Sequence, residues 1–316
     1  MNGEAVVVKN AGSHYLLSCL PEWAPFPAVL KGKIRLKANE STNPVAVGDR
    51  VLFESDALTA SEVSLEHPAL ICSVMDRKNH IIRKSTNLSR QSHVIAANVD
   101  MAFAVVSLYF PEVKLPFLDR MLVTCEVYGV PVTIVLNKVD LYREEAPETV
   151  AKFIKIYTEA GYRVIQTSAR TGEGIAEVRE ACRDRVCLFS GESGVGKSSL
   201  IKALDPSLEP KIGKISTAHL QGKHTTSLYE MYRIADCGYV IDTPGLRGFG
   251  LVNLEKDEIA RYFPEMLKAS EKCRFIPCTH THEPGCAVKE AVEEGLISPE
   301  RYSSYLGMIE EDRKFR

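Results

Sequence analysis

Residues 191–198 read GESGVGKS and match the pattern GxxxxGK[ST], in which spaced glycines precede a lysine and a hydroxyl residue. An apolar run ends at Phe189, and the helix-forming stretch SSLIKAL follows, so the motif lies between a strand and a helix. Backbone N–H groups of such a loop bind phosphate oxygens beside a helix N-terminus. The flanking pattern favours this interpretation over a chance glycine-rich turn. We predict a parallel-sheet domain that binds a nucleoside triphosphate.

The side chains of this loop have separate expected roles. Lys197 is expected to reach the β- and γ-phosphates, so we assign it a catalytic as well as a binding role, and Ser198 is expected to ligate Mg²⁺. The predicted phosphate-binding residues are Gly191, Glu192, Ser193, Gly194, Val195, Gly196, Lys197, Ser198 and Ser199. The motif indicates a triphosphate but does not identify the base.

Residues 137–140 read NKVD and follow the apolar run PVTIVL. The Asp140 carboxylate can accept hydrogen bonds from N1–H and the 2-amino group of guanine, a donor pair that adenine lacks. Because leaving this carboxylate unpaired would be costly, such a site discriminates strongly between bases. Asn137 can donate to guanine O6 or N7, and the stem of Lys138 can cover the ring face. Beside a phosphate loop, the motif predicts GTP.

Residues 167–170, TSAR, follow another predicted strand and resemble the SAK element that backs the base in GTPases, with Arg170 in the lysine position. We expect Ser168 and Ala169 to bind the nucleotide, with the backbone of Ala169 meeting guanine O6.

Residues 242–245, DTPG, follow the apolar run YVI and fit the DxxG element of GTPases. Asp242 is expected to hold Mg²⁺ through water, and the N–H group of Gly245 is expected to meet the γ-phosphate.

Residues 222–226, GKHTT, lie between the phosphate loop and DTPG, and a threonine there should complete the Mg²⁺ shell. Thr225 and Thr226 are both candidates for this ligand, and we prefer Thr226. Many GTPases orient the attacking water with a glutamine directly after DxxG, where this chain has Leu246. Because leucine cannot orient water, intrinsic hydrolysis should be slow unless another group acts. His224 is the candidate catalytic residue, and a solvated loop histidine is the alternative.

The order of these motifs is rotated. The base-reading segments precede the phosphate loop, and DTPG comes last, whereas most GTPases begin with the phosphate loop. Such circular permutation is tolerated because domain termini are often close in space. The segment after DxxG moves on loss of the γ-phosphate, and here it leads directly into the C-terminal region. We hypothesise that the nucleotide state is transmitted to residues 255–316.

The chain divides into three predicted domains: an N-terminal β-barrel at 1–85, a circularly permuted α/β P-loop GTPase domain at 86–254 and a small, mostly α zinc-binding domain at 255–316. Five short strands favour an OB-fold for the barrel, with an SH3-like barrel as the alternative. Alternating strands and helices predict the parallel sheet. The predicted strands are 4–10, 13–20, 28–37, 45–54, 69–76, 101–108, 132–137, 163–168, 186–190 and 239–243, and the predicted helices are 116–128, 147–160, 174–184 and 197–204.

The C-terminal region contains four soft or borderline metal ligands at short spacing: Cys273, Cys278, His280 and Cys286. A Cys₃His set suits tetrahedral Zn²⁺, and four protein ligands leave no open position, which predicts a structural ion. His282 is the alternative to His280, and free thiols are the alternative to a metal.

Composition constrains partners and compartment. The 316 residues carry a net charge of −2, so any RNA contact must use local patches, such as Arg77, Lys78, Arg83, Lys84 and Arg90. A solvated connecting segment is the preferred interpretation of that cluster.

No run of eighteen apolar residues appears, so we expect no membrane association. The nine cysteines, an odd number without a secretory start, predict reduced thiols in the cytosol.

Together, the segments GESGVGKSSL, NKVD, TSAR, GKHTTS, DTPGLRGFG and CRFIPCTHTHEPGCAV resemble the ribosome small subunit-dependent GTPase A family over nearly the whole chain. The resemblance implies a bacterial cytoplasmic factor that acts late in assembly of the 30S subunit, contacts its 16S rRNA and hydrolyses GTP under stimulation by that subunit. It also implies Cys273, Cys278, His280 and Cys286 as zinc ligands and His224 as the catalytic candidate. We expect a monomer.

Two other functions compete with this one. An RNA-binding protein could use its guanine-nucleotide site to sense GTP and GDP with negligible turnover, and Leu246 favours that alternative. A metabolic P-loop kinase is disfavoured by NKVD and DTPG.

Overall fold

The computed structural model describes residues 1–32, 44–84, 92–208, 229–243, 255 and 257–314. Its N-terminal part is a five-stranded barrel, as predicted. The strands are β1 (Asn2–Ala11), β2 (His14–Ser18), β3 (Phe26–Leu30), β4 (Arg50–Glu54) and β5 (Ala69–Val74). They follow the order β1-β2-β3-β5-β4, β3 and β5 run parallel, and pairing of β1 with β4 closes the barrel. This is the OB type of Greek-key barrel. Residues 33–37 of the predicted third strand lie outside the described part.

A β-hairpin follows the barrel where a solvated connecting segment is predicted, so that prediction is wrong there. Its strands are β6 (His80–Lys84) and β7 (Ser92–Ala97). Ile81 and Ile82 are both buried, so this short strand lacks the alternation that would have revealed it. Arg77 donates from Nε and Nη2 to the buried Asp49, at 2.7 Å each, which makes it a structural residue. Arg90 lies outside the described residues.

The central domain is built on a mainly parallel sheet, as predicted. Its strands are β8 (Met101–Val106), β9 (Val132–Leu136), β10 (Arg163–Gln166), β11 (Val186–Ser190), β12 (Glu230–Arg233) and β13 (Tyr239–Asp242). Its helices are α1 (Leu115–Val127), α2 (Pro147–Glu159), α3 (Ile175–Ala181) and α4 (Lys197–Leu204). The strand order β10-β9-β8-β11-β13-β12 places β11, which leads into the phosphate loop, in the interior of the sheet. Apolar cores cover both faces.

Strand β12 was not predicted, and it joins the two sheets. It runs antiparallel to β13 on one side and pairs with barrel strand β1 on the other, with Lys9 opposite Glu230. The Lys9 Nζ atom lies 2.9 Å from Glu230 Oε1, and both side chains are about three-quarters buried. The barrel is therefore anchored to the edge of the central sheet.

The C-terminal region is mostly helical, as predicted. A 3₁₀ turn (Ile259–Tyr262) precedes α5 (Pro264–Ser270), α6 (Ala287–Glu293) and α7 (Pro299–Lys314). Its core packs around Phe263 and Tyr305 and includes Val123 from α1 of the central domain. The boundaries 1–85, 86–254 and 255–316 stay predictions, and the β6–β7 hairpin lies across the first of them. Among the described helices, none has the length and apolar character needed to cross a membrane.

Candidate functional site

The predicted nucleotide-binding segments meet at one edge of the central sheet. Residues 137–140 follow β9, 167–170 follow β10, 191–198 follow β11, and Thr243 follows β13. Because the carboxyl ends of parallel strands share an edge, four segments distant in the chain form one crevice, which is where ligands bind in open α/β sheets.

Asn137 links three of these segments. Its Nδ2 donates to the carbonyl of Val195 in the phosphate loop at 2.9 Å. Its Oδ1 accepts hydrogen bonds from Thr167 Oγ1 at 3.1 Å and from the backbone N–H of Ala169 at 3.4 Å. The side chain is buried, so these bonds fix the spacing between the base-reading segment, the TSAR segment and the phosphate loop.

The Asp140 carboxylate has unused capacity to accept hydrogen bonds. Its side chain is only 10% exposed, and its buried Oδ2 atom has no hydrogen-bond partner. Arg170 Nε lies 3.0 Å from that oxygen and forms an ion pair with it, without an aligned hydrogen bond. A buried acceptor of this kind is costly unless a ligand satisfies it, which suits a donor pair such as that of guanine.

Lys138 has a backbone φ of +65°. Its Nζ donates to the carbonyl of Gly194 at 2.7 Å and to the carbonyl of Phe110. Burial lowers the pKa of Lys138, and the charge of Asp140 opposes that shift. The side chain therefore spans from the base-reading segment to the phosphate loop.

Ser168 shapes the second base-contacting segment through its turn. The Ser168 hydroxyl accepts a hydrogen bond from Thr171 N at 3.1 Å, and Ser168 N donates to the Glu173 carbonyl at 3.0 Å. Arg143, just beyond NKVD, pairs with the Glu173 carboxylate. Two ion pairs, Asp140–Arg170 and Arg143–Glu173, thus hold the two base-contacting segments together.

Lys197 is buried at the start of α4. Its Nζ donates to the carbonyls of Gly191 at 2.7 Å and Glu192 at 2.8 Å. Burial lowers the pKa of Lys197, while the charges of Asp242 and Glu192 oppose that shift. Of the remaining loop residues, Val195 is buried, Ser198 is half-buried, and Ser193, Gly194 and Ser199 are exposed.

Asp242 is a buried carboxylate whose Oδ1 atom has no hydrogen-bond partner. Burial raises its pKa to about 6, and the nearby Lys197 opposes the rise. Pairing with a cation or coordination of a metal ion stabilises the ionised form of a buried carboxylate. Asp242 and the half-buried Ser198 therefore fit the Mg²⁺ that accompanies a nucleoside triphosphate. The other switch residues, His224, Thr225, Thr226, Gly245 and Leu246, lie outside the described part of the chain.

The segment between β8 and α1, residues 107–114, forms a further wall of the site that sequence reasoning missed. Phe110 offers its carbonyl to Lys138, and Lys114 Nζ lies 3.7 Å from Glu192 Oε1. A small cavity between this segment and the phosphate loop is lined by Pro111, Val113, Glu192 and Val195, among others. No motif marks the segment, because its contacts use backbone carbonyls and a single charge.

The four predicted metal ligands converge in the C-terminal region. Cys273, Cys278, His280 and Cys286 place their ligand atoms within 4.8 Å of one another. His280 Nδ1 lies 3.7 Å from Cys273 Sγ and 3.4 Å from Cys286 Sγ. Tetrahedral Zn²⁺ bond lengths imply sulfur–nitrogen separations of about 3.6 Å, so the cluster is compatible with structural zinc.

The environment of His280 favours it over His282. His280 is buried with φ +56°, its carbonyl accepts a hydrogen bond from Tyr302 at 2.6 Å, and burial lowers its pKa, which favours the neutral ring that binds metal. His282 is exposed, and its Nδ1 pairs with the Thr281 hydroxyl at 2.9 Å.

Comparison with known proteins agrees with this geometry. The family model described as RsgA GTPase matches residues 74–252. The small ribosomal subunit biogenesis GTPase RsgA of Bacteroides fragilis is 48% identical over 99% of both chains. The protein of the same name from Flavobacterium psychrophilum is 43% identical over 97% of this chain and 92% of its own.

The chain belongs to the RsgA GTPase family. It is a GTP hydrolase of the P-loop class, and its motif order is rotated within that class.

Two solved structures agree in fold with this member of the family. The crystal structure of YjeQ from Thermotoga maritima covers 98% of both chains with 31% identity and a TM-score of 0.77. The crystal structure of YloQ, a circularly permuted GTPase, covers all of this chain and 96% of its own, with 27% identity and a TM-score of 0.73.

Gly196 provides a local test of the proposed nucleotide site. Its φ is +99°, and a Cβ there would lie 2.4 Å from Asn137 Nδ2. We expect Gly196→Ala to displace Asn137 and weaken GDP binding at least about tenfold, which is about 1.4 kcal/mol, in a fluorescent-nucleotide titration. Gly161→Ala is the matched control, because Gly161 has φ +97° and nothing within 4 Å of a Cβ. Equal affinity of the two variants would contradict the role given to Asn137.

Proposed function

We propose that this GTPase acts late in the assembly of the small ribosomal subunit and hydrolyses GTP to GDP and phosphate under stimulation by that subunit. The observation that carries the nucleotide assignment is the set of three hydrogen bonds by which Asn137 joins the two base-contacting segments to the phosphate loop. The ribosomal assignment rests on relatives that bear the name small ribosomal subunit biogenesis GTPase at up to 48% identity. We further propose a cytoplasmic monomer.

In the proposed complex, the base is read by Asp140, Asn137 and the backbone of Ala169, and Lys138 covers the ring. The backbone N–H groups of residues 191–199 surround the phosphates. Lys197, which now donates to two carbonyls of its own loop, would turn to the β- and γ-phosphates. This exchange of partners is favourable because a phosphate oxygen carries more charge than a carbonyl.

The residues proposed to hold Mg²⁺ are Ser198, Thr226 and, through water, Asp242. The ion, when bound, neutralises charge on the β- and γ-phosphates. The unpaired Oδ1 of Asp242 supports this role, since the charge of Lys197 and a hydrogen bond from the Thr243 backbone only partly offset the burial of the carboxylate.

His224 is proposed to orient the attacking water, and Gly245 is proposed to meet the γ-phosphate through its backbone N–H. Leu246 stands where many GTPases have a glutamine. This implies slow hydrolysis in the isolated protein and a faster rate when a partner places His224 against the attacking water.

The C-terminal region is proposed to hold one structural Zn²⁺ through Cys273, Cys278, His280 and Cys286. Four protein ligands leave no position for a substrate, so the ion would stabilise the fold of this region and would take no part in the reaction. The OB-type barrel and the zinc module flank the GTPase domain, and we propose that both contact 16S rRNA, since OB-folds commonly bind nucleic acid.

A passive nucleotide sensor is the second candidate function. In that case the protein would bind RNA and respond to GTP or GDP with negligible turnover, and Leu246 is the residue that favours it. Turnover in the presence of the small subunit separates the two functions.

The ribosomal assignment predicts selective binding. We expect the protein to co-sediment with purified small subunits in the presence of a non-hydrolysable GTP analogue, and to do so less with GDP. Salt must be held constant, because contacts to RNA phosphates weaken steeply as it rises. Large subunits at the same concentration are the control. Equal binding to both subunits would indicate a general affinity for RNA and would contradict the proposed partner.

A further inference from the structure

Arg301 of α7 is a fully buried arginine that pairs with two carboxylates. Its Nη1 lies 2.7 Å from Asp119 Oδ1, and its Nε and Nη2 lie 2.7 and 3.1 Å from the two oxygens of Glu265. The Arg301 and Asp119 side chains are each 1% exposed, and that of Glu265 is 7% exposed. Together, Asp119, Glu265 and Arg301 form what we call the buried triad.

Aromatic rings enclose the triad. The guanidinium carbon of Arg301 lies 4.5 Å from the ring centre of Phe263 and 5.4 Å from that of Tyr162. Tyr157 donates its hydroxyl to Asp119 Oδ1 at 3.0 Å. A buried charge that loses its partner is costly. The loss of one side chain of the triad should therefore displace the other two.

The triad joins two domains. Asp119 belongs to α1 of the GTPase domain, whereas Glu265 and Arg301 belong to α5 and α7 of the zinc-binding region. Residues 119 and 301 are 182 positions apart in the chain. The hydrogen bonds therefore fix α1 to the zinc-binding region.

The amino-terminal end of α1 reaches the nucleotide site. Lys114, directly before the helix, pairs with Glu192 of the phosphate loop, and the Phe110 carbonyl accepts a hydrogen bond from Lys138. Asp119 lies about one helical turn beyond the start of α1. A shift of α1 along its axis would move these contacts with it.

We propose that Arg301 is a positioning residue for the guanine nucleotide: through Asp119 it holds α1, and α1 holds residues 107–114 against Lys138 and the phosphate loop. The inference rests on the nucleotide site proposed above. It provides a route between the zinc-binding region and the nucleotide that is separate from the segment after DTPG. By linkage, the coupling is reciprocal, so nucleotide binding stabilises the position of α7 as much as α7 stabilises nucleotide binding.

The test compares Arg301→Met with Arg301→Lys and with a neighbouring control. Arg301→Met keeps an unbranched apolar stem but removes the guanidinium, so Asp119 and Glu265 stay buried without their cation, and Asp119 retains only the hydrogen bond from Tyr157 among those described above. We expect it to weaken binding of a fluorescent GDP about tenfold, mainly through faster dissociation, at unchanged zinc content. Arg301→Lys should recover part of the affinity. Glu300→Gln removes the Lys152–Glu300 pair, which also joins α7 to the GTPase domain but does not involve α1, so it should stay within about twofold of the parent.

A folded, zinc-containing Arg301→Met protein with parental GDP affinity would overturn the proposal. If that variant fails to fold, hydrogen exchange in the unmodified protein decides: GDP should slow exchange in α1 and α7, and unchanged exchange in both would overturn the proposal. Failure of the nucleotide site itself would look different, because the unmodified protein would then not bind GDP.

Discussion

Replacing Asp140 with asparagine should transfer the base preference of this GTPase from guanine to xanthine. The carboxylate suits the donors at N1 and N2 of guanine, whereas an amide presents one acceptor and one donor. Xanthine carries a carbonyl in place of the 2-amino group and therefore matches the amide. We expect GTP affinity to fall at least about a hundredfold, about 2.7 kcal/mol, because a buried donor is left facing a donor.

The measurement is competition of GTP and XTP for a bound fluorescent nucleotide. Asp184→Asn is the control, since it replaces the same carboxylate by the same amide at an exposed position. The backbone φ of Asp184 is +55°, a conformation that asparagine tolerates. Full retention of GTP affinity by Asp140→Asn would show that the base is read elsewhere.

Replacing Cys286 with serine should abolish binding of the proposed zinc and unfold the C-terminal region. A structural zinc site contributes on the order of 10 kcal/mol to folding, and a serine oxygen is a poor ligand for this ion. Cys286 also lies in the core formed around Phe263 and Tyr305. We expect zinc content to fall from one per chain to nearly none, and residues 257–314 to lose protection from hydrogen exchange.

Cys72→Ser is the control for that experiment, since Cys72 is a half-buried thiol on β5 of the barrel, outside the cluster. It should retain the zinc. A Cys286→Ser protein that keeps both its zinc and its protected C-terminal region would contradict the assigned ligand set.

The sequence predicted those parts of the molecule whose chemistry is local. The phosphate loop, NKVD, TSAR and DTPG each require particular residues within a few positions of a strand end, so their pattern is visible without a structure. The cysteine cluster is similar, because its ligands lie within residues 273–286. The choice of His280 came from the family spacing, and the structure adds that His280 lies in the cluster whereas His282 is exposed and pairs with the Thr281 hydroxyl.

Features that depend on distant pairing were not predicted. Strand β12 has only four residues, and its place is defined by β1 and β13. The triad joins Asp119 to Arg301, and in the sequence each reads as an ordinary charge on a helix. Arg77 was assigned to a solvated segment for the same reason: its structural partner, Asp49, lies 28 positions away in the chain.

The central claim is that hydrolysis depends on the small ribosomal subunit, and GTP turnover by the purified protein with and without that subunit tests it most directly. With salt and Mg²⁺ fixed, we expect slow release of phosphate alone and a rise of about tenfold or more with the subunit, about 1.4 kcal/mol off the barrier. The His224→Ala protein should bind GTP normally and lose most of the stimulated rate. Tight GTP binding without any stimulation would contradict the claim and would favour the passive nucleotide sensor.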